Sequence, residues 1–202
     1  MKKFFIVAVA LLCLAGTAVA QRHIEFRWRG IYFVGDASYG INLNRSTDEF
    51  SVRGDTRAAF MPSMSVGYQF RKEAAVGAGF TYVADQTGAF EQLPVFVELR
   101  SHFLRSRWTP YTVLQAGYCV PLGSSSEPMP ISTKIDEGGL YLGVGLGYRF
   151  AISRNTALAV HLDYRLMQSN RVIYSSVTGE SLLPEAVSLH TISGGLSFYF
   201  GN

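Results

Sequence analysis

Three groups of residues in this 202-residue chain have the types and spacing to do chemistry. Ser188 and His190 stand two apart with Glu185 close by, so an extended strand would present the hydroxyl and the imidazole on one side. In such a pair the imidazole serves as base while the serine attacks an acyl ester. No oxyanion donor can be named beside them. Ser188 and His190 therefore stand as the catalytic candidates against a plainer role as polar residues at a water boundary, and the chain is expected not to be an enzyme. The second group is Asp36, Glu98, Arg100, Arg149, Asp163 and Arg165, three charges of each sign set into otherwise uncharged alternating segments. Buried charges must pair, so these six form either a salt-bridged plug or the lining of an ion path. The third is Arg53-Gly54-Asp55, a cell-adhesion tripeptide in a polar stretch whose Gly-Asp pair is also ordinary turn chemistry.

Other chemistry is excluded by what is missing. The four histidines (His23, His102, His161 and His190) show no tight ligand spacing, and Cys119 is the only cysteine beyond Cys13 in the first twenty residues. A disulfide within the exported chain and a cysteine-type metal site are ruled out, and no metal or cofactor is expected. The formal charge of +3 falls to +1 without Lys2 and Lys3, too weak a field to recruit nucleic acid.

The elements that carry these residues begin with an export signal. Lys2 and Lys3 precede an apolar run from Phe4 to Leu14, and Ala18-Val19-Ala20 has the small-x-small form of a cleavage site. The run is short of the ~20 residues a spanning helix needs. Residues 1–20 are thus expected to be removed, leaving 21–202 as one domain.

From there period-two alternation recurs to the end, and it predicts strands at 30–39, 60–70, 75–83, 93–103, 110–120, 140–150, 158–167 and 190–200. Short connections at 71–73, 104–108 and 151–155 alternate with long polar ones at 40–59, 121–139 and 168–189 and an intermediate one at 84–92. That alternation marks an all-β fold, an eight-stranded antiparallel up-and-down transmembrane barrel with tight periplasmic turns and longer outer loops.

Parity then divides each strand. One side is large, apolar and uncharged; the other carries glycines, serines and the six charges. A barrel of eight strands has room inside only for side chains. The small, polar side is therefore expected to face the interior and the large residues to face lipid. Aromatics on the lipid side gather into two girdles. Tyr68, Phe70, Phe103, Tyr148, Phe150, Phe198 and Phe200 lie by the short turns, and Tyr39, Phe60, Tyr82, Tyr118 and Tyr164 toward the long loops. Strands of about ten residues at ~3.3 Å each, tilted ~40°, span roughly 25 Å.

The run Leu93-Pro94-Val95-Phe96-Val97-Glu98-Leu99-Arg100, the segment from Thr109-Pro110-Tyr111 to Gln115-Ala116-Gly117-Tyr118, and Gly143-Val144-Gly145-Leu146-Gly147-Tyr148-Arg149-Phe150 together resemble small Bacteroidetes-type outer-membrane β-barrel proteins, OmpA/OmpX-like barrels of the porin-family kind. Leu196-Ser197-Phe198-Tyr199-Phe200 is similar to the aromatic last strand that barrel-assembly machinery recognises, although Gly201 and Asn202 follow it. The resemblance implies a bacterial outer-membrane location, with membrane lipid, lipopolysaccharide and that machinery as partners. The function expected is a monomeric structural or surface-interaction role through loops 40–59, 121–139 and 168–189, without an open pore. A lipid-modifying enzyme of deacylase or acyltransferase type is the alternative, followed by transport of small hydrophobic solutes.

Overall fold

The computed structural model describes residues 29–43, 58–71, 73–85, 91–104, 106–122, 131–175 and 181–201, with backbone alone at 84–85, 131–137, 170–175 and 181–187. The chain forms eight antiparallel barrel strands: β1 (Gly30–Asn42), β2 (Ala58–Arg71), β3 (Ala74–Thr81, resuming as Val83–Asp85), β4 (Glu91–His102), β5 (Trp108–Pro121), β6 (Ile131–Ala151), β7 (Thr156–Ser175) and β8 (Ser181–Gly201). Each pairs with its neighbour in sequence, and β1 pairs with β8 to close the sheet on itself. Within the barrel wall closure leaves no free edge, which is what lets strands satisfy every backbone group without water.

The alternation of residue types decides which side faces in. Ile31, Phe33, Met64, Val97, Leu146, Leu162 and Leu196 are exposed on the outside, while Tyr32, Ser65, Glu98, Gly147, Asp163 and Ser197 stand at the intervening inward positions. The outward set forms a continuous apolar belt, with Leu196 64 % exposed. A belt of that extent has no stable place in water.

Two expectations need correction. The interior is not uniformly small: Tyr32, Phe96, Tyr111, Tyr141, Tyr199, Met61 and Met167 are all buried inside. Glycine makes the room. Tyr32 lies opposite Gly67 and Tyr111 opposite Gly147 in the ladders, and a Cβ on either glycine would fall 2.5 Å from the facing ring. The glycines seen as small filler are the slots into which large rings lie flat.

The second correction concerns length. Residues 131–139, 168–175 and 181–189 are strand, not loop, so β6, β7 and β8 run 20 or 21 residues each and rise past the other strands as a three-stranded extension. Their polar composition hid them, because a strand beyond the lipid needs a hydrogen-bonded ladder but no apolar side. The ladder of β6 and β7 shifts register between Gly138 and Tyr141, where this extension leaves the barrel wall.

Candidate functional site

The interior is filled in layers. At the short-turn end Arg149 Nη1 lies 3.1 Å from His102 Nε2, and Gln69 Nε2 lies 3.4 Å from His102 Nδ1. A guanidinium can only donate, so Nε2 accepts and the ring proton sits on Nδ1; the Gln69 amide then has to present its oxygen there. The Arg149 guanidinium also stacks over Tyr199, 5.6 Å from the ring centre.

The next layer is built on β4. Alternation puts Glu98 and Arg100 on the same inward side, with Arg100 Nη2 3.0 Å from Glu98 Oε2. Tyr32 donates to Glu98 Oε1 at 2.9 Å and Ser65 at 3.1 Å. Arg100 Nη1 donates to the Tyr199 hydroxyl, and its guanidinium lies 5.1 Å and 5.3 Å from the ring centres of Tyr199 and Tyr111. A buried carboxylate and a buried guanidinium thus find each other, three hydroxyls and two aromatic faces, which is what burying an ion pair requires.

A third layer lies toward the long loops. Arg165 Nη2 is 3.0 Å from Asp163 Oδ2, and His161 Nε2 is 3.2 Å from the same oxygen and 3.1 Å from Asp36 Oδ2. Ser197 Oγ lies 2.9 Å from His161 Nδ1. A cavity of about 20 Å³ adjoins these two charged layers, lined by Asp36, Glu98, Arg100, His161, Asp163 and Arg165 among others. That is space for one or two water-sized species and no more. Beyond it Met61, Val83, Phe96, Cys119, Tyr141 and Met167 pack as an apolar cluster below the long-loop end.

The six expected charges are therefore all inside, but they do not act as one group. Glu98 meets Arg100, Asp163 meets Arg165, Asp36 meets His161, and Arg149 stands with His102. Sequence reasoning missed both interior histidines. Their signal was parity: His102 and His161 fall on the same side of their strands as Arg100 and Asp163.

Ser188 and His190 sit half-buried at the outer end of β8, where His190 Nδ1 shares a 2.6 Å hydrogen bond with the Tyr164 hydroxyl. The imidazole nitrogen nearest the ring's attachment is thus engaged by a girdle residue. The Glu185 side chain, Arg53-Gly54-Asp55 and residues 1–28 lie outside the described residues. The aromatic girdle residues all point outward, Phe150 and Tyr82 less exposed than the rest. Near the short turns they touch one another: Tyr68 and Phe70 at 5.0 Å, Tyr148 and Phe150 at 5.3 Å, and Trp108 and Phe150 at 5.1 Å between ring centres. At the other end Tyr39 lies opposite Phe60 in the ladder.

No protein-family model matches the chain, and no curated protein does. Solved structures do. The chain is similar to Neisserial surface protein A, with a TM-score of 0.60 and 15% identity over 86% of this chain and 97% of that one. It is similar to the outer-membrane protein OprG from Pseudomonas aeruginosa, with a TM-score of 0.58 and 11% identity over 89% and 100%. The outer-membrane protein AlkL, solved in lipid bilayers, superposes with a TM-score of 0.56 and 10% identity over 90% and 93%. The fold is that of small eight-stranded outer-membrane barrels.

Proposed function

We propose that this protein resides in the bacterial outer membrane as a closed, non-catalytic barrel that works through what it presents beyond the lipid. The belt of exposed aliphatic residues between two aromatic girdles supports the location, because lipid is the one solvent that suits it. The single observation that carries the role is the packed lumen: ion pairs, stacked rings and an apolar cluster occupy it, and the cavity at its charged layers measures about 20 Å³. Solutes do not cross a space of that size. What remains available is the long-loop end, where β6, β7 and β8 rise above the other strands. The strand motifs on β4, β5 and β6 add the finer reading of a Bacteroidetes-type barrel.

Purified and folded in detergent, the protein should migrate as a compact species in cold SDS and shift on heating, and planar bilayers containing it should show no sustained conductance. A chain that is soluble without detergent would overturn the location, and steady ion currents would overturn the closed lumen. Lipid A from cells carrying Ser188→Ala or His190→Ala should match wild type. An acyl chain removed or added only in the presence of both residues would replace this reading with a lipid-modifying enzyme.

A further inference from the structure

Asp36, His161 and Asp163 converge on one point inside the barrel. Their ligand atoms all lie within 4.8 Å of one another, and the imidazole nitrogen stands 3.1 Å and 3.2 Å from the two carboxylate oxygens. Donors bound to one first-row transition metal at about 2.1 Å lie about 3.0 to 3.4 Å apart, for right-angle and tetrahedral arrangements. The two nitrogen–oxygen spacings fall in that range, and the two carboxylate oxygens lie within 4.8 Å of each other. Yet His161 Nε2 makes no hydrogen bond to either carboxylate, although its side chain is only 3 % exposed; at these distances the failure is one of direction. Asp36 Oδ1 is also buried without a hydrogen-bond partner.

Charge leads the same way. If Ser197 accepts from Nδ1–H, the Nε2 lone pair confronts two carboxylates, an arrangement that a cation between them resolves. Arg165 is the guanidinium at this level, bonded to Asp163, so two negative charges meet one positive. Arg165 also orients its carboxylate and Ser197 orients the ring, the outer-shell support that metal-binding histidines and carboxylates usually have.

The surroundings leave the space clear. Asp36 and His161 come from β1 and β7 and meet across β8, which lies between them and carries Gly195 and Ser197 at the crossing. A Cβ at Gly195 would fall 2.6 Å from His161 Nε2, and one at Gly145 would collide with Asp163 Oδ1. The adjoining cavity of about 20 Å³ accommodates an ion or a water bound to it.

We propose that Asp36, His161 and Asp163 form a lumenal site for one divalent transition-metal ion of the zinc or cobalt class, bound by one imidazole nitrogen and two carboxylate oxygens. Borderline N/O donors of this kind suit those ions better than calcium or magnesium. The ion is held inside the wall and stitches β1 to β7 across β8.

The test is to refold the full exported chain in detergent after chelator treatment and titrate it with Co²⁺, whose visible absorption reports its ligands. The expected result is binding of one ion per chain, with d–d bands of an N/O set and no thiolate charge-transfer band. His161→Ala and the isosteric Asp36→Asn should abolish the bands. Ser197→Ala should weaken binding by about 10–100-fold. His102→Ala, the other interior histidine, should bind as wild type, and the heat-induced shift in SDS gels verifies that each variant folds. Absence of binding to folded wild type, or binding that survives in folded His161→Ala, overturns the proposal.

Discussion

Glu98 and Arg100 on β4, and Asp163 and Arg165 on β7, are the same device in sequence: an acid, one residue, then an arginine. Both pairs point inward, and both close to 3.0 Å between Nη2 and a carboxylate oxygen. Their surroundings differ. Glu98 gains hydroxyl donors from Tyr32 and Ser65, and Arg100 lies against two tyrosine rings that meet edge-on, so the two opposite charges answer each other although Arg100 Nε is left without a hydrogen-bond partner. Asp163 instead shares its space with a second carboxylate and an imidazole. One pair is a finished plug. The other brings two carboxylates to one guanidinium and one imidazole, and the difference lies in the neighbours, not in the motif.

The largest effect expected is on the finished pair. Arg100→Ala strands Glu98 in the interior, and the cost should be of order 3–5 kcal/mol, read as a shift in the urea midpoint of refolding into lipid vesicles. A shift below about 1 kcal/mol, within the range of an exposed pair, would show that water reaches Glu98. Second is a charge placed on the opposite side of the wall. Leu196→Arg, next to Ser197 but facing outward, should cost ~2–4 kcal/mol in vesicles if the belt lies at mid-bilayer. An unchanged midpoint would mean that this stretch does not face lipid. Gly195→Ala comes next, about 1–3 kcal/mol, because the added methyl meets both His161 and the Ala37 carbonyl. The smallest change is expected for Asp36→Asn in chelator-treated protein. Removing the surplus carboxylate charge should leave stability within about 1 kcal/mol or raise it, since an uncompensated buried charge is lost. A loss comparable to that of Arg100→Ala would put Asp36 on the same footing as Glu98 and erase the contrast.

Much of the barrel was legible because membrane strands obey two rules at once, alternation and a lipid-facing side of fixed chemistry. Leu158, Val160 and Leu162 against Ala159, His161 and Asp163 show both. Two kinds of information escaped. The interior tyrosines did, because packing inside depends on which strand lies opposite: Tyr32 reads as misplaced until Gly67 is known to face it. At the site, Asp36 and Asp163 were legible as interior charges, but their meeting with His161 was not. Asp36 and His161 are separated by most of the chain, and no spacing along it announces that β8 will bring them together. Beyond the lipid the second rule lapses, and Ile131 to Glu137 accordingly looked like loop although its backbone pairs with β7.

The pairing of β1 with β8 also bears on how the molecule forms. Phe33 pairs with Phe200, and Tyr39 with Gly194, so the seam joins nearly the two ends of the chain. Contacts so distant in sequence carry a high loop-closure cost and come late in folding. Until they form, an eight-stranded sheet has two raw edges whose backbone groups lipid cannot satisfy, at several kcal/mol for each one. Insertion and closure are therefore coupled into a nearly all-or-none step. Asp36 and His161 face each other across that seam. Their contact exists only in a barrel that has shut, and a probe on either residue would time the moment of closure.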